Sequence, residues 1–193
     1  MRKFILLGFL VILGCDKVGD AASNPWTSFL GSPSPENEKQ LLADIGESVE
    51  GCGWGKAENK NAIPDKFRQD LFDLIANGDS SSYRVGLQIE KCLDGGDLGD
   101  FRRSTGLFFD TKPEVFLEES IGEGVSPERL AELIATLPLS LVDDLSSQRN
   151  LLMDRIGKLE QSQIAEESQI ARNALNDLRE REQLLSDVVE EQD

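Results

Sequence analysis

The sequence contains no histidine, and its 193 residues include only one tyrosine, two tryptophans and three cysteines. The missing imidazole removes the commonest general base, the commonest zinc ligand and every Ser-His or Cys-His nucleophilic pair. Basic residues are also scarce, since 20 Lys and Arg stand against 36 Asp and Glu, for a net charge of −16. With no cationic excess to neutralise phosphates, binding to nucleic acid is excluded. The charge suits a basic partner, although solubility alone also explains it.

Long hydrophobic runs are absent as well. The longest run, Phe4 to Leu13, is interrupted by Gly8 and is about half of the roughly 20 residues that a membrane-spanning helix needs. Arg2 and Lys3 precede this run, and Gly14 and Cys15 follow it. A positive start, a short apolar stretch and a small residue at its end are typical of an export signal.

Residues Met1–Cys15 resemble a bacterial lipoprotein signal, with Ile12-Leu13-Gly14-Cys15 as its lipobox. The resemblance covers only this stretch. It implies that Cys15 receives a diacylglycerol, that residues 1–14 are removed as a signal peptide, and that the new amino group is acylated. Two or more acyl chains hold a protein on a membrane stably, since each buried methylene contributes about 0.8 kcal/mol. We therefore expect a lipoprotein of the bacterial cell envelope, anchored on the periplasmic face of the inner or outer membrane. The alternative is an ordinary secretory signal with an accidental cysteine.

The other two cysteines are Cys52 and Cys92. An even number of cysteines in a chain exported to an oxidising compartment predicts a disulfide bond between them. The bond would close a loop of about forty residues, which in the loop-entropy model contributes roughly 3–4 kcal/mol to stability. Two buried free thiols are the alternative.

Composition divides the mature chain into three parts. Residues 15–35 are rich in Gly, Ser, Asp and Pro, which predicts a flexible tether, although Trp26, Phe29 and Leu30 allow a short docked helical turn. Residues 36–138 contain short segments with helical periodicity and Pro or Gly at their ends. The expected helices are Glu36–Glu50, a helix from Pro64 that ends at Asn77-Gly78, Asp79–Cys92, Leu98–Phe109, Pro113–Ile121 and Ser126–Leu137.

These segments predict an all-α fold, an antiparallel array of short helices arranged as a bundle or as a short HEAT-like helical repeat. One segment is ambiguous. Tyr83, Val85, Leu87 and Ile89 alternate with polar residues as in a strand. No neighbouring segment offers a pairing strand, and an unpaired strand leaves its backbone groups unsatisfied, so a helix is favoured.

The third part, residues 139–193, is predicted to form a long C-terminal helix. Ser140 to Ile156 is expected to be helical, and Lys158 to Gln192 contains neither Pro nor Gly. Apolar residues recur every seven positions, but the companion heptad position is only half apolar. We expect the helix to pack on the body along one seam; coiled-coil self-association is the alternative. The repeating residues are Ile164, Ala171, Leu178 and Leu185.

Two motifs suggest binding sites but fail on spacing. The segment Gly51–Lys56 lacks the four residues between glycines, and the Ser or Thr after lysine, that a phosphate-binding loop needs. The carboxylates of Asp94, Asp97 and Asp100 are spaced by three, whereas a calcium loop alternates its ligands. We therefore assign no catalytic, cofactor-binding or metal-binding residues, and we expect no cofactor.

These observations favour a non-enzymatic, lipid-anchored protein whose acidic helical body is a structural module or binds another protein. One alternative is an immunity or inhibitor lipoprotein that neutralises a toxin or hydrolase. Another is a hydrolase of envelope polymers that uses a carboxylate pair, which would require a cleft and a carboxyl group of raised pKa.

Overall fold

A computed structural model describes residues 24–49 and 65–190. All regular structure within these residues is helical, which confirms the predicted all-α fold. Ten α-helices and two 3₁₀ turns, Glu90–Cys92 and Leu139–Leu141, make up this part of the chain. The α-helices are α1 Pro25–Gly31, α2 Pro35–Val49, α3 Asp65–Ala76, α4 Ser80–Ile89, α5 Gly95–Thr111, α6 Pro113–Gly122, α7 Pro127–Ala135, α8 Leu145–Gln161, α9 Gln163–Glu167 and α10 Gln169–Glu190.

Capping residues set several of these helix starts. Asp79 is the N-cap residue of α4. Its carboxylate accepts a hydrogen bond of 2.7 Å from the backbone N–H of Ser82. The ambiguous segment is therefore helical and the strand alternative is wrong, because the cap satisfies a free N–H at the start of a helix. Helix α5 begins at Gly95, three residues before the expected start at Leu98. The Gly95-Gly96 pair therefore lies inside this helix rather than before it.

The helices form two layers. One layer contains α1, α3, α5, α7 and α10, and the other contains α2, α4, α6 and α9, with neighbours in each layer in contact. Helices adjacent in sequence alternate between the layers from α1 to α7, and α1 with α2, α3 with α4, and α5 with α6 are also in contact. This order is that of a short helical repeat, one of the two arrangements predicted.

Side-chain contacts show that α3 and α5 run in the same direction. Arg68 of α3 forms a salt bridge of 2.7 Å with Asp97 near the start of α5. Further along, the ring of Phe72 lies 6.2 Å from that of Phe101, and Lys112 after α5 donates to the Gly78 carbonyl after α3. Matching contacts from start to end require parallel helices, as in stacked repeats.

An aromatic cluster occupies the centre of the core where α4, α5 and α6 meet. Tyr83, Phe108, Phe109 and Phe116 are fully buried. The Phe116 ring centroid lies 5.2 Å from that of Tyr83 and 5.6 Å from those of Phe108 and Phe109. Phe108 and Phe109 contact Phe116 edge to face, and such contacts contribute about 0.5–1.5 kcal/mol each beyond the burial of their area.

Pro25–Gly31, within the predicted tether, forms helix α1. Asn24 caps α1 by accepting a 2.9 Å hydrogen bond from the backbone N–H of Trp26. Trp26 is 4% exposed and Phe29 is fully buried, so α1 belongs to the folded body. The burial of two aromatic side chains outweighs the entropy lost by a Gly- and Ser-rich segment. Residues 15–23 lie outside the described part of the chain.

The C-terminal part contains the predicted long helix, α10, but not one continuous helix from Lys158. Ser162 and Ser168 have extended backbones, and their hydroxyls accept hydrogen bonds from the N–H groups of Ala165 and Ala171, which start α9 and α10. Serine competes for backbone groups in this way and so interrupts a helix without Pro or Gly. Ala171 and Leu178 of the heptad seam are buried where α10 packs on α7 and α8.

Candidate interaction surface

The residues assigned from the sequence fall mainly outside the described part of the chain. Cys15 and Cys52 lie outside it, and Cys92 is half-buried at the end of the 3₁₀ turn that follows α4. The Cys52–Cys92 disulfide and the lipidation of Cys15 therefore stay predictions.

The aspartates near the start of α5 do not form an open cation site. Asp97 is paired with Arg68, and Asp100 forms a salt bridge of 2.5 Å with Arg103. Asp94 precedes α5 as its N-cap residue. Across residues 24–49 and 65–190, no group of three or more acidic or cysteine side chains is arranged to hold a metal ion.

The most distinctive surface of the described chain is the segment between α7 and α8, residues 136–144, which we call the apolar loop. Leu139 is 60% exposed and Val142 is 63% exposed, far more than apolar residues of the core. Both belong to the 3₁₀ turn or its cap, in which side chains three residues apart lie on the same side. The loop therefore presents two large apolar side chains together to solvent.

Hydrogen bonds from two side chains, Arg155 and Gln148, hold the backbone of this loop at both ends. The guanidinium of Arg155, which is fully buried, donates to the carbonyls of Ile134 at 2.6 Å and Thr136 at 2.9 Å. At the other end, the Gln148 amide donates to the carbonyls of Leu141 at 2.7 Å and Val142 at 2.9 Å. A loop held in this way loses little entropy when a partner binds it.

A hollow of about 210 Å³ lies beside the exposed residues. Its size suits one large side chain of a partner, the usual form of an interface anchor. The hollow is lined mainly by apolar groups, from Arg103, Thr136, Leu137, Pro138, Leu139, Leu141, Val142 and Gln148.

Carboxylates border the loop on the side of α8. Asp143 and Asp144 follow Val142 directly, and both are exposed. Asp144 caps α8, and hydrogen bonds from the hydroxyl and backbone N–H of Ser147 lower the pKa of its carboxyl group. Asp144 therefore keeps its negative charge at neutral and mildly acidic pH. The single cation in the hollow's lining, Arg103, is already paired with Asp100.

A second concave surface lies between α1 and α3. This groove has a volume of about 440 Å³ and is lined by Leu30, Phe67 and Leu74, with Lys66, Asp70 and Asp73 among its polar residues. Its polar groups carry both signs of charge, and α3 follows directly on residues outside the described chain. It gives a weaker indication of a partner's chemistry than the apolar loop does.

A hydrolase that uses a carboxylate pair needs a general acid whose pKa is raised. In the described chain the carboxyl groups with a shifted pKa are Glu38, Glu128 and Asp144, and all three shift downward. Burial of Glu38 favours its neutral form, but hydrogen bonds from Arg84 and Ser81 and the charge of Arg84 together outweigh burial. A general acid at neutral pH needs a raised pKa, so none of these three suits that role.

The sequence reasoning missed the apolar loop because it assigned Ser140 onward to a helix. The available signal was the run Leu137–Val142, in which Pro138 prevents a helix from continuing and four other residues are apolar. An apolar run that helical packing cannot bury indicates an exposed surface.

Comparisons with protein families, with curated proteins and with solved structures found no match to this chain. Within the described residues, no helix is both long and apolar enough to cross a membrane.

Proposed function

We propose that this chain is a lipid-anchored protein of the bacterial cell envelope whose acidic helical body binds another protein through the apolar loop. The observation that carries the proposal is the exposure of Leu139 and Val142 on a backbone fixed by Arg155 and Gln148. Apolar side chains grouped beside a hollow mark interaction sites on soluble surfaces. The lipobox-like signal supplies the anchor, and the absence of histidine supports a binding role over catalysis.

The loop suits binding because its apolar groups form the centre and its charges form the edge. Interfaces commonly have a water-excluded apolar centre and a polar rim. Leu139 and Val142 occupy the centre here, and Asp143 and Asp144 follow at the edge. Each of these two apolar side chains is more than half accessible, so the fold itself does not bury them.

Site-specific photo-crosslinking in the envelope tests this proposal. A photoreactive residue replaces Leu139 in one variant and Leu184 in a control, because Leu184 is 66% exposed but lies on α10. We expect a cross-linked product at position 139 that is missing at position 184. Mass spectrometry identifies the captured protein, which is then purified and tested for direct binding.

The decisive measurement is the affinity of that purified protein for the wild-type chain and for Leu139→Ser. We expect the affinity to fall by about tenfold, because Leu139→Ser removes apolar contact at the centre of the interface. The substitution changes an exposed residue, so the thermal stability of the chain should be unchanged. Equal capture at positions 139 and 184, or equal affinity for the wild-type and Leu139→Ser chains, would contradict the proposal.

A further inference from the structure

We propose that the apolar loop binds a cationic apolar segment of another protein, with one large apolar side chain in the hollow and basic residues facing Asp143 and Asp144. This inference rests on the proposed function and adds the chemistry of the partner. Three observations lead to it: the size of the hollow, the sign of the charges around it, and the charge of the whole chain.

The size and lining of the hollow indicate which apolar side chain of the partner it can hold. Its volume of about 210 Å³ and its lining of leucine, proline and valine side chains suit one aromatic or branched aliphatic residue. Leu139 and Val142 both line the hollow and are exposed, so both would contact such a side chain. A single anchor enclosed by apolar neighbours is how interfaces exclude water from their strongest contact.

The negative charges of Asp143 and Asp144 indicate that the partner carries positive charge beside its apolar side chain. Asp143 and Asp144 stand next to Val142, and both are exposed. Arg103, the cation lining the hollow, is balanced by Asp100. A partner with lysine or arginine beside its apolar anchor would gain attraction at the rim of the site and a faster association rate.

Charge also argues against two other occupants. A second copy of this chain would bring its own Asp143 and Asp144 towards the same carboxylates, and each copy carries a net charge of −16. Like charges facing each other across an interface are unfavourable. An anionic lipid surface would be repelled in the same way.

Binding of defined peptides to the mature, lipidated full-length chain in zwitterionic nanodiscs tests the inference. The probe is a fluorescent synthetic peptide with leucine and phenylalanine on one helical face and lysine on the other. Its matched control has glutamate at every lysine position. Fluorescence anisotropy gives the affinity for the wild-type chain and for Leu139→Ser, Asp143→Asn and Leu184→Ser.

We expect the lysine peptide to bind the wild-type chain and to lose about tenfold in affinity for Leu139→Ser. Asp143→Asn should weaken binding by about threefold at low salt, with a smaller effect at high salt, because the contact is electrostatic and solvent-exposed. Leu184→Ser should bind like the wild type. The inference would be overturned if the glutamate peptide bound with equal affinity. It would also be overturned if the lysine peptide bound the wild-type chain and Leu139→Ser equally well.

The outcomes separate this inference from the proposed function. If the photo-captured protein needs Leu139 but the lysine peptide does not discriminate against Leu139→Ser, the partner's chemistry is wrong and the binding function stands. If the captured species at position 139 is a second copy of this chain, the inference is overturned in favour of self-association. If capture does not depend on position 139, the proposed function fails as well.

Discussion

The fully buried side chain of Arg155 forms a two-pronged ion pair with Asp110. Its Nε lies 2.8 Å from Asp110 Oδ1, and its Nη2 lies 2.7 Å from Oδ2. Its Nη1 donates to the carbonyls of Ile134 and Thr136. One guanidinium therefore joins α5, α7 and α8 and fixes the start of the apolar loop. The planar, multivalent geometry of arginine makes such a junction possible, and lysine has no equivalent.

Asp110→Asn should destabilise the fold strongly, because it leaves the buried charge of Arg155 without its counter-ion. Removing one partner of a buried ion pair typically costs about 3–5 kcal/mol, and we expect the lower end because Asp110 is 20% exposed. The measurement is the free energy of unfolding in urea.

Asp154→Asn is the matched control for this prediction. Asp154 is 58% exposed and pairs with Lys158 at 2.8 Å on the same helix. An exposed pair of this kind contributes about 0–1 kcal/mol, so the unfolding free energy should hardly change. Equal losses of unfolding free energy in Asp110→Asn and Asp154→Asn would show that the buried ion pair contributes no more to stability than the exposed one.

Gly106→Ala should also destabilise the protein, although alanine is the better helix former. A Cβ atom at position 106 would lie 2.6 Å from the backbone oxygen of Thr136 and 3.0 Å from Arg155 Nη2. Backbone cannot move aside as a flexible side chain can, so α5 and the end of α7 would have to separate. We expect a loss of about 1–3 kcal/mol, measured by urea unfolding.

Gly157→Ala is the control for Gly106→Ala and should stabilise the protein in the same urea-unfolding experiment. Its added Cβ would meet only the end of the Gln161 side chain, at 4.0 Å, within helix α8. Here the helix propensity of alanine should raise the unfolding free energy by about 0.5–1 kcal/mol. A stabilising Gly106→Ala variant would contradict the close approach of α5 and α7.

The fold was largely predictable from the sequence because local signals agree with packing in most helices. Pro113 and Ser126-Pro127 start helices where expected, and the apolar faces that follow them are buried. The apolar loop could not be found by periodicity, because its leucines resemble core residues in composition. The start of its backbone is held by buried Arg155, 19 residues after Thr136, and a contact of this kind leaves no periodic signal in the sequence.

The only tyrosine in the sequence gives a direct probe of core burial. Ser120 Oγ donates to the Phe116 carbonyl at 2.7 Å, so the Tyr83 hydroxyl, 2.7 Å from that Oγ, is the donor to it. Burial is the main effect and raises the pKa of Tyr83 above its ordinary value of 10.0. Phenolate absorbance of the native protein should therefore stay low at a pH where the chain unfolded in urea is already ionised.

The same shift makes stability depend on pH at the alkaline end. Above the ordinary pKa of 10.0 the unfolded chain loses the Tyr83 proton while the native chain keeps it. The native state then binds more protons, so the free energy of unfolding falls as pH rises through this range. A Tyr83→Phe variant should show a smaller fall. Titration of native Tyr83 at its ordinary pKa would contradict its burial.

One measurement tests both the proposed disulfide bond between Cys52 and Cys92 and the proposed lipid anchor at Cys15. Intact-mass spectrometry of the protein purified from membranes is run with alkylation, before and after reduction. We expect a chain that starts at Cys15 and carries acyl chains, with Cys52 and Cys92 alkylated only after reduction. A Cys92→Ser variant should leave one thiol alkylated without reductant, since its former partner is then unpaired.

The proposed lipid anchor allows a separate prediction, because the attachment depends on the thiol of Cys15. In Cys15→Ser no thiol accepts the diacylglycerol, so the acyl mass should be lost and the chain should leave the membrane fraction. Its unfolding free energy should match that of the wild type, since helix α1 begins ten residues later, at Pro25. An intact Met1 and three alkylated thiols in the wild type would instead place the chain outside the envelope. The binding role of the apolar loop would then have to be tested against partners in another compartment.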